Sequence, residues 1–129
     1  LVQEARKIKT PAFQNDTVYA LLEYCSTMNG VSKSDIMRLI KLRNKIKNNY
    51  VLCELNSFLL LTIAKTSVNC DAQIASITED LRESWCGIDG DWLRIEMAYS
   101  IHNLLLNNYS DIANKLWISM LVVQLEVKI

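Results

Sequence analysis

Glycine and proline are scarce in this chain of 129 residues, which contains three glycines and one proline. The many tight turns of a β-sandwich or β-barrel depend on these two residues. Their scarcity therefore argues against an all-β fold and favours long helices. Half of the residues are hydrophobic and 22% are charged, a composition that indicates a globular chain and excludes a disordered one. At this length we expect a single domain.

Residue patterns that carry enzyme chemistry are also lacking. The chain has one histidine, His102, and no HExxH, GxSxG or glycine-rich phosphate loop. The loop around Asp89 and Asp91 lacks the further oxygen ligands of a calcium site. We therefore predict that the protein is not an enzyme. We expect no catalytic, cofactor-binding or metal-binding residues, no cofactor and no small-molecule substrate.

An excess of charge of one sign is absent too, because 14 basic and 14 acidic residues cancel. A field that would attract nucleic acid is therefore missing, and nucleic acid is not an expected partner. No apolar run is long enough to span a membrane. The four cysteines, at positions 25, 53, 70 and 86, show no zinc-binding spacing. We expect four free thiols and a reducing intracellular, cytoplasmic location.

The stretch Val51–Thr66 stands out because its apolar residues occupy every side of a helical wheel. A helix of this kind must be enclosed by other helices or by lipid. Lipid is excluded because the apolar run is short and is interrupted by Glu54, Asn56 and Lys65. The sequence thus predicts an all-α bundle of about six helices with this stretch at its centre.

Residues 1–14 are predicted to be a leader or arm, and residues 15–129 the all-α domain. Residues that favour helix N-termini precede several apolar stripes, and we expect helices to begin at Asn15 or Asp16, Ser32, Asp71 and Asp91. The second helix should end near residues 48–50.

The turns of the chain are evenly spaced. Asn29-Gly30, Asn69-Cys70 and Asn107-Asn108 lie 40 and 38 residues apart. This is close to the length of a HEAT-type helical hairpin. Stacked helical hairpins are therefore the alternative to a closed bundle.

The charges are segregated into two groups. Six basic residues and one acidic residue lie between Lys33 and Lys47, whereas seven acidic and two basic residues lie between Asp71 and Glu96. We interpret these as two solvated helix faces that attract each other. The alternative is a basic docking patch for an acidic protein partner, centred on Lys41 and Lys45.

Trp92 is the main candidate for partner binding. It follows a loop at residues 87–91 and is flanked by Asp89, Asp91 and Glu96. A large aromatic side chain with a charged rim is the usual composition of an interaction hot spot. The alternative is that Trp92 packs against Trp85 and fastens two helices together.

Residues 18–50 and 74–125 resemble the poxviral Bcl-like family of host-signalling inhibitors. The resemblance lies in a helix ending in Trp85 followed by a loop and Arg94, and in these residues of the first helices: Leu22-Glu23-Tyr24, Asn29, Val31-Ser32, Leu39, Leu42 and Tyr50. It implies an all-helical protein that binds host signalling proteins through helix faces, often as a homodimer, without catalysis.

A second resemblance covers Asp80–Leu121. Leu81, Trp85, Asn108-Tyr109-Ser110 and Ala113 resemble the carboxy-terminal helical domain shared by steroid receptor RNA activator protein and the outer COPII coat scaffold. Both resemblances imply binding. We therefore predict a protein–protein interaction module, with a scaffold domain of a larger assembly protein as the alternative.

Overall fold

Six α-helices make up most of the computed structural model, which describes residues 11–66 and 69–128. In chain order they are α1 (Pro11–Cys25), α2 (Lys33–Arg43), α3 (Asn49–Ala64), α4 (Asp71–Cys86), α5 (Asp91–Leu105) and α6 (Ser110–Lys128). The prediction of a single all-α bundle of about six helices is confirmed. Of the predicted leader, residues 1–10 lie outside the described residues.

The predicted central helix is α3. It contacts four other helices, α1, α2, α4 and α5, and it contributes the buried side chains Leu55, Phe58, Leu59 and Leu60 to the core. Asn48 caps its N-terminus by accepting a hydrogen bond from the Val51 N–H at 3.1 Å. Among the helices that the structure describes, none is long and apolar enough to cross a membrane.

The predicted helix starts are partly correct. Ser32 caps α2, because its hydroxyl accepts a hydrogen bond from the Asp35 N–H at 3.1 Å. The first helix that the structure describes begins at Pro11, not at Asn15 or Asp16, so residues 11–14 are helical. Proline suits the first turn of a helix because its missing N–H would have no intrahelical partner there.

Two predicted caps are wrong by one residue. Asp71 is the first residue inside α4, and the Asn69 side chain accepts a hydrogen bond from its N–H at 3.0 Å. Asp91 is likewise inside α5, and Gly90 takes the cap position with a φ of 101°. The second helix is also shorter than expected, since α2 ends at Arg43 and Asn44 occupies its C-cap.

Packing between the helices is local in the chain. Contacts among the described residues join only helices that are adjacent or next but one in chain order. α6 contacts α4 and α5, and α1 contacts α2 and α3. Stacked helical hairpins have the same neighbour pattern, so the bundle keeps this feature of the alternative architecture.

All four cysteines are free. Cys25, Cys53 and Cys70 are buried, and Cys86 is exposed at the end of α4. Burial raises the pKa of the Cys53 thiol from 9.0 to about 12, and burial also raises the pKa of Cys25. Because the thiolate is the reactive form, these buried cysteines should be inert in the folded protein.

Phe58→Asp should abolish cooperative folding. Phe58 is buried in α3, where its ring meets the Tyr19 ring edge-on at 5.6 Å. A buried unpaired carboxylate costs several kcal/mol, against a total stability of roughly 5–15 kcal/mol. Thermal unfolding followed by circular dichroism measures the effect. Ala64→Asp, at an exposed position of the same helix, is the control. A cooperatively melting Phe58→Asp protein would contradict the central position of α3.

Thiol titration should count four reactive cysteines in the denatured, unreduced protein and one, Cys86, in the folded protein. The difference follows from the burial of the other three thiols. A Cys86→Ser variant should then show none in the folded state. A denatured count of two or fewer would mean that disulfides form.

Candidate interaction site

The loop between α4 and α5 begins at Gly87, whose carbonyl oxygen is held by the Asn49 side chain. The Asn49 side chain donates a hydrogen bond from Nδ2 to the Gly87 carbonyl oxygen at 2.9 Å, which ties the start of α3 to the end of α4. A Cβ atom on Gly87 would lie 2.5 Å from the same Nδ2, far inside van der Waals contact. The close approach of Asn49 therefore requires glycine at this position.

Arg94 fixes the start of α5. Its guanidinium donates hydrogen bonds to the Ile88 carbonyl oxygen at 2.5 Å and to the Gln124 amide oxygen at 3.0 Å, and it forms an ion pair with Asp91. The Trp85 indole N–H donates to the Arg94 carbonyl oxygen at 2.7 Å. Arg94 thus connects the end of α4, the loop, α5 and α6. These contacts fix the shape of the loop.

Trp92 projects from this rigid base into solvent. Its side chain is 75% exposed, the highest value of any large hydrophobic residue that the structure describes. Trp85, in contrast, is 1% exposed and lies in the core. The ring pairs found among the described residues do not join these two tryptophans. Trp92 consequently does not serve as a buried fastener between α4 and α5.

The predicted acidic rim is present in part. Asp89 and Glu96 are exposed, on the loop before Trp92 and one turn after it. Asp91 is half-buried, and its carboxylate is engaged by Arg94. We refer to Trp92, Asp89 and Glu96 as the Trp92 patch. Asp91 belongs to its base and not to its rim.

The two basic candidates lie elsewhere. Lys41 and Lys45 are exposed, in the last turn of α2 and just beyond it. Within the described residues α2 has no helix contact with α5. No ion pair among the described side chains involves either lysine. The sequence candidates therefore form two separate groups on different helices.

Arg43 is a basic residue that the sequence interpretation misplaced. It was expected on the solvated side of α2, but it is buried. Its guanidinium donates to the Asn56 side-chain oxygen at 2.7 Å and pairs with Asp80 of α4 at 2.9 Å. The signal was its spacing, because Arg43 lies seven residues after the buried Ile36 and four after Leu39.

The Arg43–Asp80 ion pair connects the basic and acidic helices directly, as expected for two faces that attract each other. A cleft of about 330 Å³ lies beside it, lined mainly by polar side chains that include Arg43, Asn44, Asn56, Asp80, Glu83 and Ser84. The donors of Arg43 are already bound by Asn44, Asn56 and Asp80. The cleft is thus bordered by a cation that already makes structural contacts through all three of its nitrogens.

His102 belongs to α5, and its ring faces α6. Its Nε2 atom is 3.1 Å from the Asn114 side-chain oxygen, and its ring is 5.2 Å from the Trp117 ring. Trp117 also meets Tyr99 edge-on at 4.8 Å. These contacts give His102 a structural role in joining the two helices. In the part of the chain that the structure describes, no group of three or more possible metal ligands comes together.

A second exposed apolar surface was missed by the sequence interpretation. Ile118, Val122 and Leu125 of α6 are 62%, 46% and 64% exposed. They lie on the side of the helix opposite the buried Leu116 and Met120, and we call them the α6 stripe. The apolar periodicity that predicts the core side of this helix does not include the α6 stripe, because the stripe is out of phase with that side.

Comparisons with known proteins returned no match, whether against family models, curated proteins or solved structures.

Gly87→Ala should destabilise the protein by about 1 kcal/mol, because the new methyl group displaces Asn49 and breaks its hydrogen bond. Asn49→Ala should cost a similar amount. The double variant should be about as stable as Asn49→Ala alone, since the clash and the bond are then both absent. Urea unfolding of the four proteins measures this coupling. Strictly additive costs would show that the Asn49–Gly87 contact is not the constraint.

Proposed function

We propose that this protein is a non-enzymatic interaction module that binds a protein partner through the Trp92 patch. The observation that carries the proposal is the 75% exposure of Trp92. A tryptophan can bury 150–250 Å² of surface, and tryptophan is enriched among the residues that dominate binding energy. The indole of Trp92 suits an apolar pocket on a partner.

The contacts that Arg94 and Asn49 make beneath Trp92 support this role. Arg94 joins the loop to α5 and α6, and Asn49 holds Gly87 at the end of α4. An anchor on a fixed backbone loses less conformational entropy on binding than one on a mobile loop. The Trp92 patch is therefore pre-organised on its backbone side.

The rim indicates the chemistry of the partner. Asp89 and Glu96 place two exposed carboxylates beside Trp92. A matching surface would present an apolar pocket with Lys or Arg at its edge, since complementary charges speed association and select among partners. In this proposal the protein is a viral inhibitor that acts by occupying such a surface on a host protein of innate-immune or apoptotic signalling. That choice of partner rests on the poxviral resemblance.

The second candidate is a scaffold domain of a larger assembly. The local packing order favours it, because each described helix contacts only helices that are adjacent or next but one in chain order, as in helical-repeat scaffolds. A scaffold would bind further helices along the outer side of a terminal hairpin. It would not depend on a single anchor residue.

Trp92→Ala should lower partner affinity by at least ~2 kcal/mol, roughly thirtyfold, with little change in melting temperature. The partner would first be identified by affinity enrichment from host-cell extract, compared between wild type and Trp92→Ala, and then titrated by calorimetry. Tyr24→Ala is the matched control, since Tyr24 is an exposed aromatic residue on α1.

A fastening role for Trp92 predicts the opposite pattern. The same substitution would then cost about 3–5 kcal/mol of folding stability, as large-to-small core substitutions do. Strong destabilisation, or partner binding that is unchanged by Trp92→Ala, would contradict the proposal. The search for the binding surface would then move to Lys41 and Lys45.

A further inference from the structure

The cleft beside the Arg43–Asp80 ion pair lies between α3 and α4, which run antiparallel. The Asn49–Gly87 hydrogen bond joins the start of α3 to the end of α4, and Arg43 joins Asn56 to Asp80 further along the two helices. These contacts mark the two ends of the cleft and are seven residues apart on α3, which is about 10 Å. With a volume of about 330 Å³, the cleft has the dimensions of a site for a small molecule.

Asn56 presents an unused hydrogen-bond donor to this cleft. It lines the cleft although it is only 1% exposed. Arg43 can only donate hydrogen bonds, so Oδ1 of Asn56 must face it, and the orientation of the amide group is thereby fixed. Asn56 Nδ2 has no hydrogen-bond partner among the described residues, yet it is not fully enclosed, unlike Gln124 Nε2. The cleft therefore reaches Asn56 Nδ2.

A donor in this position favours a ligand that carries an acceptor. A buried amide without a partner raises the free energy of the folded protein, because the group has lost its hydrogen bonds to water. A carbonyl or hydroxyl oxygen that entered the cleft would satisfy Asn56 Nδ2. The binding of such a group is therefore favoured over that of a purely apolar one.

The charges that line the cleft favour a positively charged ligand. Arg43 and Asp80 form an ion pair at 2.9 Å, so their charges cancel. Glu83 lines the cleft three residues after Asp80, is exposed and takes part in no ion pair among the described side chains. Its carboxylate leaves the lining with a net negative charge. Because the Asn56 Nδ2 donor cannot coordinate a metal ion, the positive charge should belong to an organic molecule that also carries the acceptor.

We propose that this cleft binds a small organic cation that carries a hydrogen-bond acceptor, namely a short aliphatic amine with a carbonyl or hydroxyl group. The acceptor receives a hydrogen bond from Asn56 Nδ2, and the ammonium group pairs with Glu83. The hydrocarbon between them packs on Leu52 and Ile46, which also line the cleft. This inference goes beyond the proposed function and does not depend on it, since none of the residues of the Trp92 patch lines the cleft.

Three compounds of similar size test the inference. 4-Aminobutanamide carries an ammonium group and a carbonyl acceptor, butylamine carries the ammonium group alone, and butanamide carries the amide alone. In titrations followed by ¹⁵N–¹H NMR, 4-aminobutanamide should shift the side-chain amide signals of Asn56. It should bind about tenfold more tightly than butylamine, which lacks the acceptor for Asn56 Nδ2. Butanamide, which lacks the charge, should also bind more weakly than 4-aminobutanamide.

Two substitutions test the two contacts separately. Asn56→Asp keeps an oxygen for Arg43 and removes the donor, so it should abolish the preference for 4-aminobutanamide over butylamine. Glu83→Gln, at an exposed position, should weaken 4-aminobutanamide about threefold and leave butanamide unchanged. Glu23→Gln makes the same change at an exposed position of α1 and should have no effect. Circular dichroism establishes that each variant is folded.

Several results would overturn the inference. One is the absence of shifts at the residues that line the cleft when 4-aminobutanamide reaches its solubility limit. Equal affinity of the wild-type protein for butylamine and 4-aminobutanamide is another. A folded Glu83→Gln protein that binds 4-aminobutanamide as tightly as the wild type does is a third, and it keeps the test decisive if Asn56→Asp does not fold. Trp92→Ala should bind 4-aminobutanamide as the wild type does, so failure of the Trp92 patch in partner binding leaves this inference standing.

Discussion

Burial of most of α3 is the constraint on which the rest of the structure depends. A buried helix must find partners for the polar side chains on its buried sides. Ser57 and Thr62 solve this locally, because each hydroxyl donates to the carbonyl oxygen four residues earlier, at 2.9 and 2.8 Å. Asn56 cannot do so. Its side-chain oxygen accepts its hydrogen bond from Arg43 of α2.

The need to satisfy Asn56 explains the charge arrangement around it. Arg43 brings a buried positive charge to α3, and a buried charge is tolerated only when it is paired and hydrogen-bonded. Asp80 supplies the opposite charge from α4, and Asn44 accepts two further hydrogen bonds. One amide in the central helix thus connects three helices. The attraction between the basic and acidic helices is, at this point, a consequence of core packing.

The sequence predicted the helices and most core positions because apolar periodicity determines which side of a helix is buried. Val18, Leu39, Ile77 and Ile101 illustrate this, since each belongs to an apolar stripe of its helix and all four are buried. The caps at Asp71 and Asp91 were misplaced because Cys70 takes the cap position of α4, where the Asn69 side chain accepts from the Asp71 N–H, and Gly90 takes the cap position of α5. The free energies of alternative cap positions differ by only about tenths of a kcal/mol, so the path of the chain decides between them.

The candidate site was less predictable for a different reason. Periodicity indicates that a face is apolar, but not whether another part of the protein covers it. Trp85 and Trp92 have similar surroundings in the sequence, yet one is 1% and the other 75% exposed. The difference depends on the exact rotation of α5, which Arg94 sets through contacts with Ile88 and Gln124. No local pattern encodes the Gln124 contact, which spans thirty residues.

The two ends of the bundle differ in a way that bears on function. Among the helices that the structure describes, α1 and α6 each contact two others, and both carry exposed side chains. On α1 the exposed residues include Asp16 and Glu23, as is usual for a solvated face. On α6 they form the apolar α6 stripe. Exposed apolar surface gains nothing for the isolated chain and favours association by about 25 cal/mol per Å² once covered. The end of the bundle that carries α6 is therefore the one suited to further contacts.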